Sequence, residues 1–192
     1  MTRLILASAS PRRRQILDGL GVEFEVVVPD VEEVSEGDPA EVVVENALRK
    51  ARAGLEQAGK GTLVLGVDTD VVLDGRVLGK PEDERGARRR LAALSGRPHE
   101  VLSGVALAGR GERSALARST VAFRALSEAE IDRYVRSGEW RDRAGGYAIQ
   151  GLGSTLVESL HGDLSNVIGL PIATLLHLEP ALLTGLKAST SL

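Results

Sequence analysis

The stretch that most constrains the fold lies near the amino terminus, where Leu4-Ile5-Leu6-Ala7 runs directly into Ser8-Ala9-Ser10-Pro11-Arg12-Arg13-Arg14. An apolar run ended by small hydroxyl residues and a proline reads as a buried strand turning into a helix. Proline suits the first helical position, which makes Ser10 the expected N-cap. The turn then presents backbone N–H groups beside Arg12 and Arg13. Helix N-termini and guanidinium groups both favour anions, phosphate oxygens in particular. Arginines in a first helical turn also oppose the helix dipole and can be merely solvated, so other segments must carry part of the argument.

Composition narrows the class. A chain of 192 residues with 43% apolar and 27% charged residues suits one domain with a sizeable core. We expect that domain over 1–186 and a frayed tail over 187–192. No apolar run is long enough to cross a bilayer, and the first residues lack the apolar region and cleavage site of a signal peptide. Cysteine is absent, which excludes disulfides, thiolate metal sites and thiol nucleophiles. These features point to the cytoplasm and away from a membrane. A formal net charge of −3 and an aromatic content of 3% argue against a general nucleic-acid binder.

Along the chain, strands are expected near 3–8 and 23–28, with a helix over 11–19 between them. Asp38-Pro39-Ala40-Glu41 combines an N-cap, a proline and an acid, opening a helix over 39–58. Thr62 to Val67 is a buried-strand pattern ending at Asp68. Asp74-Gly75 between Val71-Val72-Leu73 and Arg76-Val77-Leu78 marks a hairpin. A helix over 83–94, strands over 99–108 and 113–124, and a capping box at Ser127-Glu128-Ala129-Glu130 follow. A glycine-rich segment over 142–153 leads to a short strand near 154–160, a loop, and a last helix from Pro171. Hairpins exclude a purely parallel series, leaving an α/β fold with a mixed sheet.

Several positions could carry chemistry. Asp68 closes a buried strand, where ligands and metals commonly bind. In an extended chain Asp68 and Asp70 share one face and could share a divalent cation, although a turn hydrogen bond is the plainer reading of Asp70. Lys80, held between Gly79 and Pro81, could meet a phosphate as a point charge or be a solvated surface lysine. Lys50, and the pair Glu32-Glu33, are similarly open. The glycine-rich segment lacks the dinucleotide fingerprint, and no Walker loop is present. His99, His161 and His177 lack zinc-site spacing, and no glycine-flanked nucleophile elbow surrounds Ser8 or Ser10.

Taken together, the Ser-Pro-Arg-Arg turn, Gly66-Val67-Asp68-Thr69, Gly79-Lys80-Pro81, Ala144-Gly145-Gly146-Tyr147-Ala148-Ile149-Gln150-Gly151 and Ser165-Asn166-Val167-Ile168-Gly169-Leu170-Pro171 resemble the Maf family of nucleoside triphosphate pyrophosphatases. The resemblance covers residues 3–178. It implies a two-lobed fold akin to inosine triphosphate pyrophosphatases, with a nucleotide cleft. It also implies hydrolysis of a nucleoside triphosphate to the monophosphate and pyrophosphate, dependent on magnesium or manganese. Asp68 falls on the family's proposed proton acceptor; Ser8, Arg13, Glu33, Lys50 and Lys80 fall on polar or charged positions of the cleft. Asp68 and Glu33 are the expected metal ligands, and Ser10 joins Ser8, Arg12 and Arg13 as a substrate contact. Whether Asp68 takes the water's proton or holds the cation stays open at this point.

The chain departs from the family pattern at Val67, at Asp70 in place of a hydrophobic residue, at Arg143 in place of lysine, and in Gly162-Asp163-Leu164. None removes a catalytic group. Arg12, Thr69 and Gln150 resemble the branch acting on dTTP and UTP rather than the branch acting on 7-methyl-GTP. An amide both donates and accepts, which suits the O4 and N3–H edge of uracil or thymine. Two alternatives are kept: a non-catalytic nucleotide-binding regulator of septum formation, and a 7-methyl-GTP pyrophosphatase. Family members often form dimers, so a homodimer is kept open, although no apolar stripe identifies an interface.

Overall fold

The computed structural model of the protein describes residues 3–59 and 61–184; the expected tail over 187–192 lies outside them. In chain order the elements are β1 (Arg3–Ala7), α1 (Pro11–Gly19), β2 (Phe24–Val27), α2 (Pro39–Ala58), β3 (Thr62–Leu73), β4 (Arg76–Val77) and α3 (Glu84–Leu94). There follow β5 (Pro98–Ala108), β6 (Arg113–Phe123), α4 (Glu128–Ser137), β7 (Val157–His161), α5 (Leu164–Ile168) and α6 (Ile172–Leu178). The fold is α/β with a mixed sheet. Its strand order is β2-β1-β3-β5-β6-β7, with β4 paired to β3. β1 is parallel to both β2 and β3, whereas β3–β4 and β6–β7 are antiparallel. Among the described residues no helix is long and apolar enough to cross a membrane.

The described residues form two compact units, one within 3–68, 103–117 and 169–184, the other within 69–102 and 118–168. In the first, the run Leu4 to Ala7 is buried on both faces, as a central parallel strand must be. Period-two alternation sends Leu4 and Leu6 toward Leu17, Leu63, Leu65, Leu107 and Leu175. Ile5 and Ala7 turn the other way and pack with Val64. Helix α2 lies on the sheet through small residues. A Cβ at Gly66 would stand 2.1 Å from the Ala47 carbonyl oxygen, and one at Gly104 would stand 2.1 Å from that of Val43. That closeness fixes where the polar positions of α2 project. The helix opens as its sequence dictates, with Asp38 Oδ1 accepting from the Ala40 N–H at 2.8 Å.

The second unit is built on an aromatic core. Phe123, Tyr134, Trp140 and Tyr147 pack with Val71, Leu73, Leu91, Leu94 and Leu156. Asp83 caps α3 through the Gly86 N–H, and Ser127 with Glu130 forms the expected capping box on α4.

Three elements differ from expectation. β3 does not end at Asp68 but continues to Leu73, because Val71, Val72 and Leu73 are buried and feed the hairpin. Asp74 (φ 51) and Gly75 (φ 74) both take the left-handed conformation that a two-residue hairpin turn requires. The strand expected from 154 begins at Val157, since residues Gly151–Leu156 form a 3₁₀ turn whose Leu152 and Gly153 N–H groups bond the Glu139 carboxylate. The expected loop before Pro171 contains α5, whose start is closed by Asp163 Oδ1 accepting from the Ser165 N–H at 2.7 Å. A single turn is too short to leave a periodic signal.

Candidate active site

In the first unit, the end of β1 delivers Ser8 to a buried position at the start of the turn. Its hydroxyl oxygen accepts from the Ser10 N–H at 3.2 Å and from Arg13 Nη1 at 3.0 Å. Arg13 also donates from Nε to the Gly169 carbonyl at 2.8 Å, tying α1 to the segment before α6. Ser10 stands at the N-cap of α1 as expected, yet its side chain makes no capping bond. Ser8, two residues earlier, organises the turn instead. Burial pushes the Arg13 guanidinium down to about 10, Asp68 pulls it upward, neighbouring Arg12 lowers it and Glu33 again raises it. Arg13 therefore stays fully charged at neutral pH.

Helix α2 contributes two polar side chains one turn apart, Asn46 and Lys50. Lys50 Nζ lies 2.6 Å from Asp68 Oδ1 and 2.6 Å from Glu33 Oε1. One ammonium thus brings together two carboxylates from distant parts of the chain. Lys50 and Asp68 are largely buried, with side-chain exposures of 15% and 13%, whereas Glu33 at 54% opens to solvent. Asn46 is fully enclosed, and its amide bonds both Val34 and Asp68. Arg49 donates to the Glu32 carbonyl at 2.9 Å, so the loop bearing Glu33 is tethered on both sides.

The donor set suits a small divalent cation. Magnesium is commonly held by one or two carboxylates together with substrate phosphates, not by an all-protein cage. Asp68 and Glu33, converging on a single positive charge, supply two hard oxygen ligands of that kind. Among the described residues no group of three or more His, Asp or Glu could hold a metal. Asp70, on the same face of β3 as Asp68, therefore completes no such cluster.

The second unit carries Thr69, Asp70, Lys80 and Gln150. Lys80 is exposed, but its backbone is clamped. Arg90 donates from Nε to the Leu78 carbonyl at 2.6 Å and from Nη2 to the Lys80 carbonyl at 3.2 Å. The Gly145 N–H takes the intervening Gly79 carbonyl at 2.8 Å. Gln150 is exposed at the head of the 3₁₀ turn. The segment preceding it is held by the Tyr134 hydroxyl, which accepts from the Ala148 N–H at 2.9 Å. Tyr147 is held by His99, whose Nε2 lies 2.8 Å from the phenolic oxygen.

His99 offers a clean pH test. Burial pushes it down to about 4 from an ordinary 6.5. Between those values the unfolded chain binds a proton that the folded chain refuses, so stability falls as pH falls through that window. We expect a loss of about 2 kcal/mol between pH 7 and pH 5 by urea denaturation, absent from His99→Gln. Matching slopes for the two proteins over that range would show that His99 titrates normally.

Asn46 and Arg90 are the residues sequence reasoning passed over. Asn46 did leave a signal: asparagine is a poor helix former, and it stands in the interior of a helix four residues before Lys50. Arg90 left none, being one of four arginines between positions 85 and 90.

Comparison with known proteins gives consistent relatives. The family model described as Maf-like protein matches residues 3–179. A protein of Symbiobacterium thermophilum named dTTP/UTP pyrophosphatase is 49% identical over 176 residues, covering 90% of each chain. One of the same name from Deinococcus radiodurans is 47% identical over 178 residues, covering 92% of this chain and 91% of that protein. A crystal structure of a nucleoside-triphosphatase / dITP/XTP pyrophosphatase from Mycobacterium abscessus is 24% identical, covers 64% of this chain and 74% of that one, and aligns with a TM-score of 0.46.

Proposed function

The chain belongs to the Maf-like family, and from that premise we propose that it hydrolyses nucleoside triphosphates, dTTP and UTP foremost, to the monophosphate and pyrophosphate. The observation that carries the reading is the Lys50-centred pair of carboxylates, Asp68 and Glu33, in the unit that also holds the Ser8–Arg13 turn. Water attacks the α-phosphorus, the bridging bond to the β-phosphate breaks, and pyrophosphate leaves with its charge compensated. Such a reaction demands positioning and electrostatics above all.

Asp68 accepts the proton of the attacking water. Its Oδ1 is engaged by Lys50 and its Oδ2 by Asn46, and each carboxylate oxygen keeps a further lone pair for that proton. Asp68 and Glu33 would hold magnesium or manganese, which would supply charge neutralisation at the phosphate oxygens. Arg13, kept cationic, and the backbone N–H groups at the start of α1 grip phosphate, with Ser8 and Ser10 shaping that turn and Arg12 beside it. Lys50 pairs with Asp68 through its ammonium, and Lys80 is assigned to phosphate charge by the family resemblance. Arg12, Thr69 and Gln150 set base choice on the same basis. The cytoplasm, where nucleoside triphosphate pools lie, is the compartment this reading requires, and a homodimer is part of it by the same resemblance.

The test is pyrophosphate release from a panel of triphosphates with magnesium or manganese. We expect UTP and dTTP to lead, 7-methyl-GTP to be poor, and Gln150→Glu to lose pyrimidine activity disproportionately. A glutamate cannot donate to the O4 carbonyl it would face, and a lost base hydrogen bond is costly to specificity. Faster turnover of 7-methyl-GTP than of UTP would overturn the base assignment. No turnover of any triphosphate above a metal-free control would leave a nucleotide-binding regulator as the reading.

A further inference from the structure

We propose that Asn46 is a positioning residue that sets the Asp68 carboxylate and the loop carrying Glu33 in one working arrangement; the proposal rests on the pyrophosphatase reading above. Asn46 is 2% exposed in the interior of α2, where an alanine or leucine would favour the helix more. Its amide orientation is unambiguous. The Val34 N–H can only donate, so Oδ1 must face it, at 2.7 Å. Nδ2 is thereby turned to its two acceptors, the Val34 carbonyl at 3.0 Å and Asp68 Oδ2 at 3.3 Å.

Both backbone groups of Val34, the residue after Glu33, are therefore consumed by one side chain in the manner of a strand bridge. Lys50, one turn further along the same helix, takes one oxygen from each of Asp68 and Glu33. An ammonium is a point charge on a flexible stem and cannot by itself fix the torsion of a carboxylate. Asn46 removes that freedom by holding the second oxygen of Asp68 and latching the Glu33 loop to the same helix. Groups of this supporting kind typically change activity by ~10–100-fold when removed, without touching substrate.

The experiment measures steady-state UTP hydrolysis by the full chain, unmodified and carrying Asn46→Leu, alone and combined with Asp68→Asn. Asn46→Leu should lower kcat by ~10–100-fold and leave KM within ~3-fold. In the Asp68→Asn background it should cost less than ~3-fold more, because its route of action is already gone. Asn46→Asp, nearly isosteric, keeps an acceptor for the Val34 N–H but loses both donors. It should show the same kcat loss with an unchanged far-UV spectrum, and it serves if the leucine variant does not fold. A kcat within ~2-fold of the parent in a folded variant, or full additivity with Asp68→Asn, overturns the assignment of Asn46 alone. Absence of turnover by the unmodified chain overturns the pyrophosphatase reading and this inference with it.

Discussion

Asp68→Asn lowers turnover of UTP at least ~100-fold, whereas Asp70→Ala costs less than ~5-fold, when both variants are purified folded and pyrophosphate release is followed. Both oxygens of Asp68 are engaged by donors, Lys50 Nζ at 2.6 Å and Asn46 Nδ2 at 3.3 Å. An asparagine there has only one acceptor oxygen. If it faces Lys50, its NH₂ meets the NH₂ of Asn46; if it faces Asn46, its NH₂ meets an ammonium. Either way one donor is left opposed by another, and the site loses the negative charge that balances Lys50 and Arg13. The basicity needed to take a proton from water is lost as well. Asp70 forms no three-acid group with Asp68 and Glu33 among the described residues, and the Lys50 and Asn46 contacts of Asp68 do not run through it, so its removal leaves those contacts in place. Equal losses at the two positions would mean that both carboxylates hold one cation, and the proton-accepting role of Asp68 would lose its support.

Much of this site was legible because its local chemistry is self-announcing. Pro11 and Asp38-Pro39 mark the starts of α1 and α2, and the structure begins both helices there. Asp74-Gly75 and the Ser127–Glu130 box act within four residues, so no distant contact was needed to read them. Lys50, Glu33 and Asp68 could be nominated by residue type and resemblance, yet nothing local reveals that one ammonium binds both acids. That follows from α2 lying flush on β3, a consequence of Gly66 that only packing displays. The same applies to Ser8, which takes from Ser10 the work of organising the turn because Arg13 reaches back to it. Continuation of β3 past Asp68 was hidden because two acids within three residues look like a strand end. Buried Val71, Val72 and Leu73 override that impression. The backbone clamp of Arg90 on Leu78 and Lys80 spans more than a helical turn of sequence and has no signature at all.

The second large effect is expected at a residue that touches no substrate. Gly66→Ala should destabilise the protein by about 3 kcal/mol or more and also depress kcat of the folded fraction. The reason is steric, not conformational. A Cβ at Gly66 would stand 2.1 Å from the Ala47 carbonyl oxygen and 2.7 Å from the Ala51 backbone nitrogen. Both are backbone atoms of a 20-residue helix, which at its own Gly54 also lies close on Val64 and Ala7, where a Cβ would stand 2.9 and 3.0 Å from their side chains. No rotamer change can relieve the clash, so α2 must lift away from β3. That helix carries Asn46 and Lys50, and β3 carries Asp68, so the displacement opens the contacts that define the site. A misplacement of about 1 Å in a catalytic group can cost ~100-fold in rate. Thermal unfolding should show a drop of about 6–12 °C for a domain of this size. Gly19→Ala provides the comparison: nothing lies within 4 Å of a Cβ there, so stability should stay within about 0.5 kcal/mol of the parent. If Gly66→Ala melts where Gly19→Ala does and turns over UTP normally, the close seating of α2 is not what aligns Lys50 with Asp68. The alignment would then have to come from the Asn46 latch and the tether of Arg49 to Glu32.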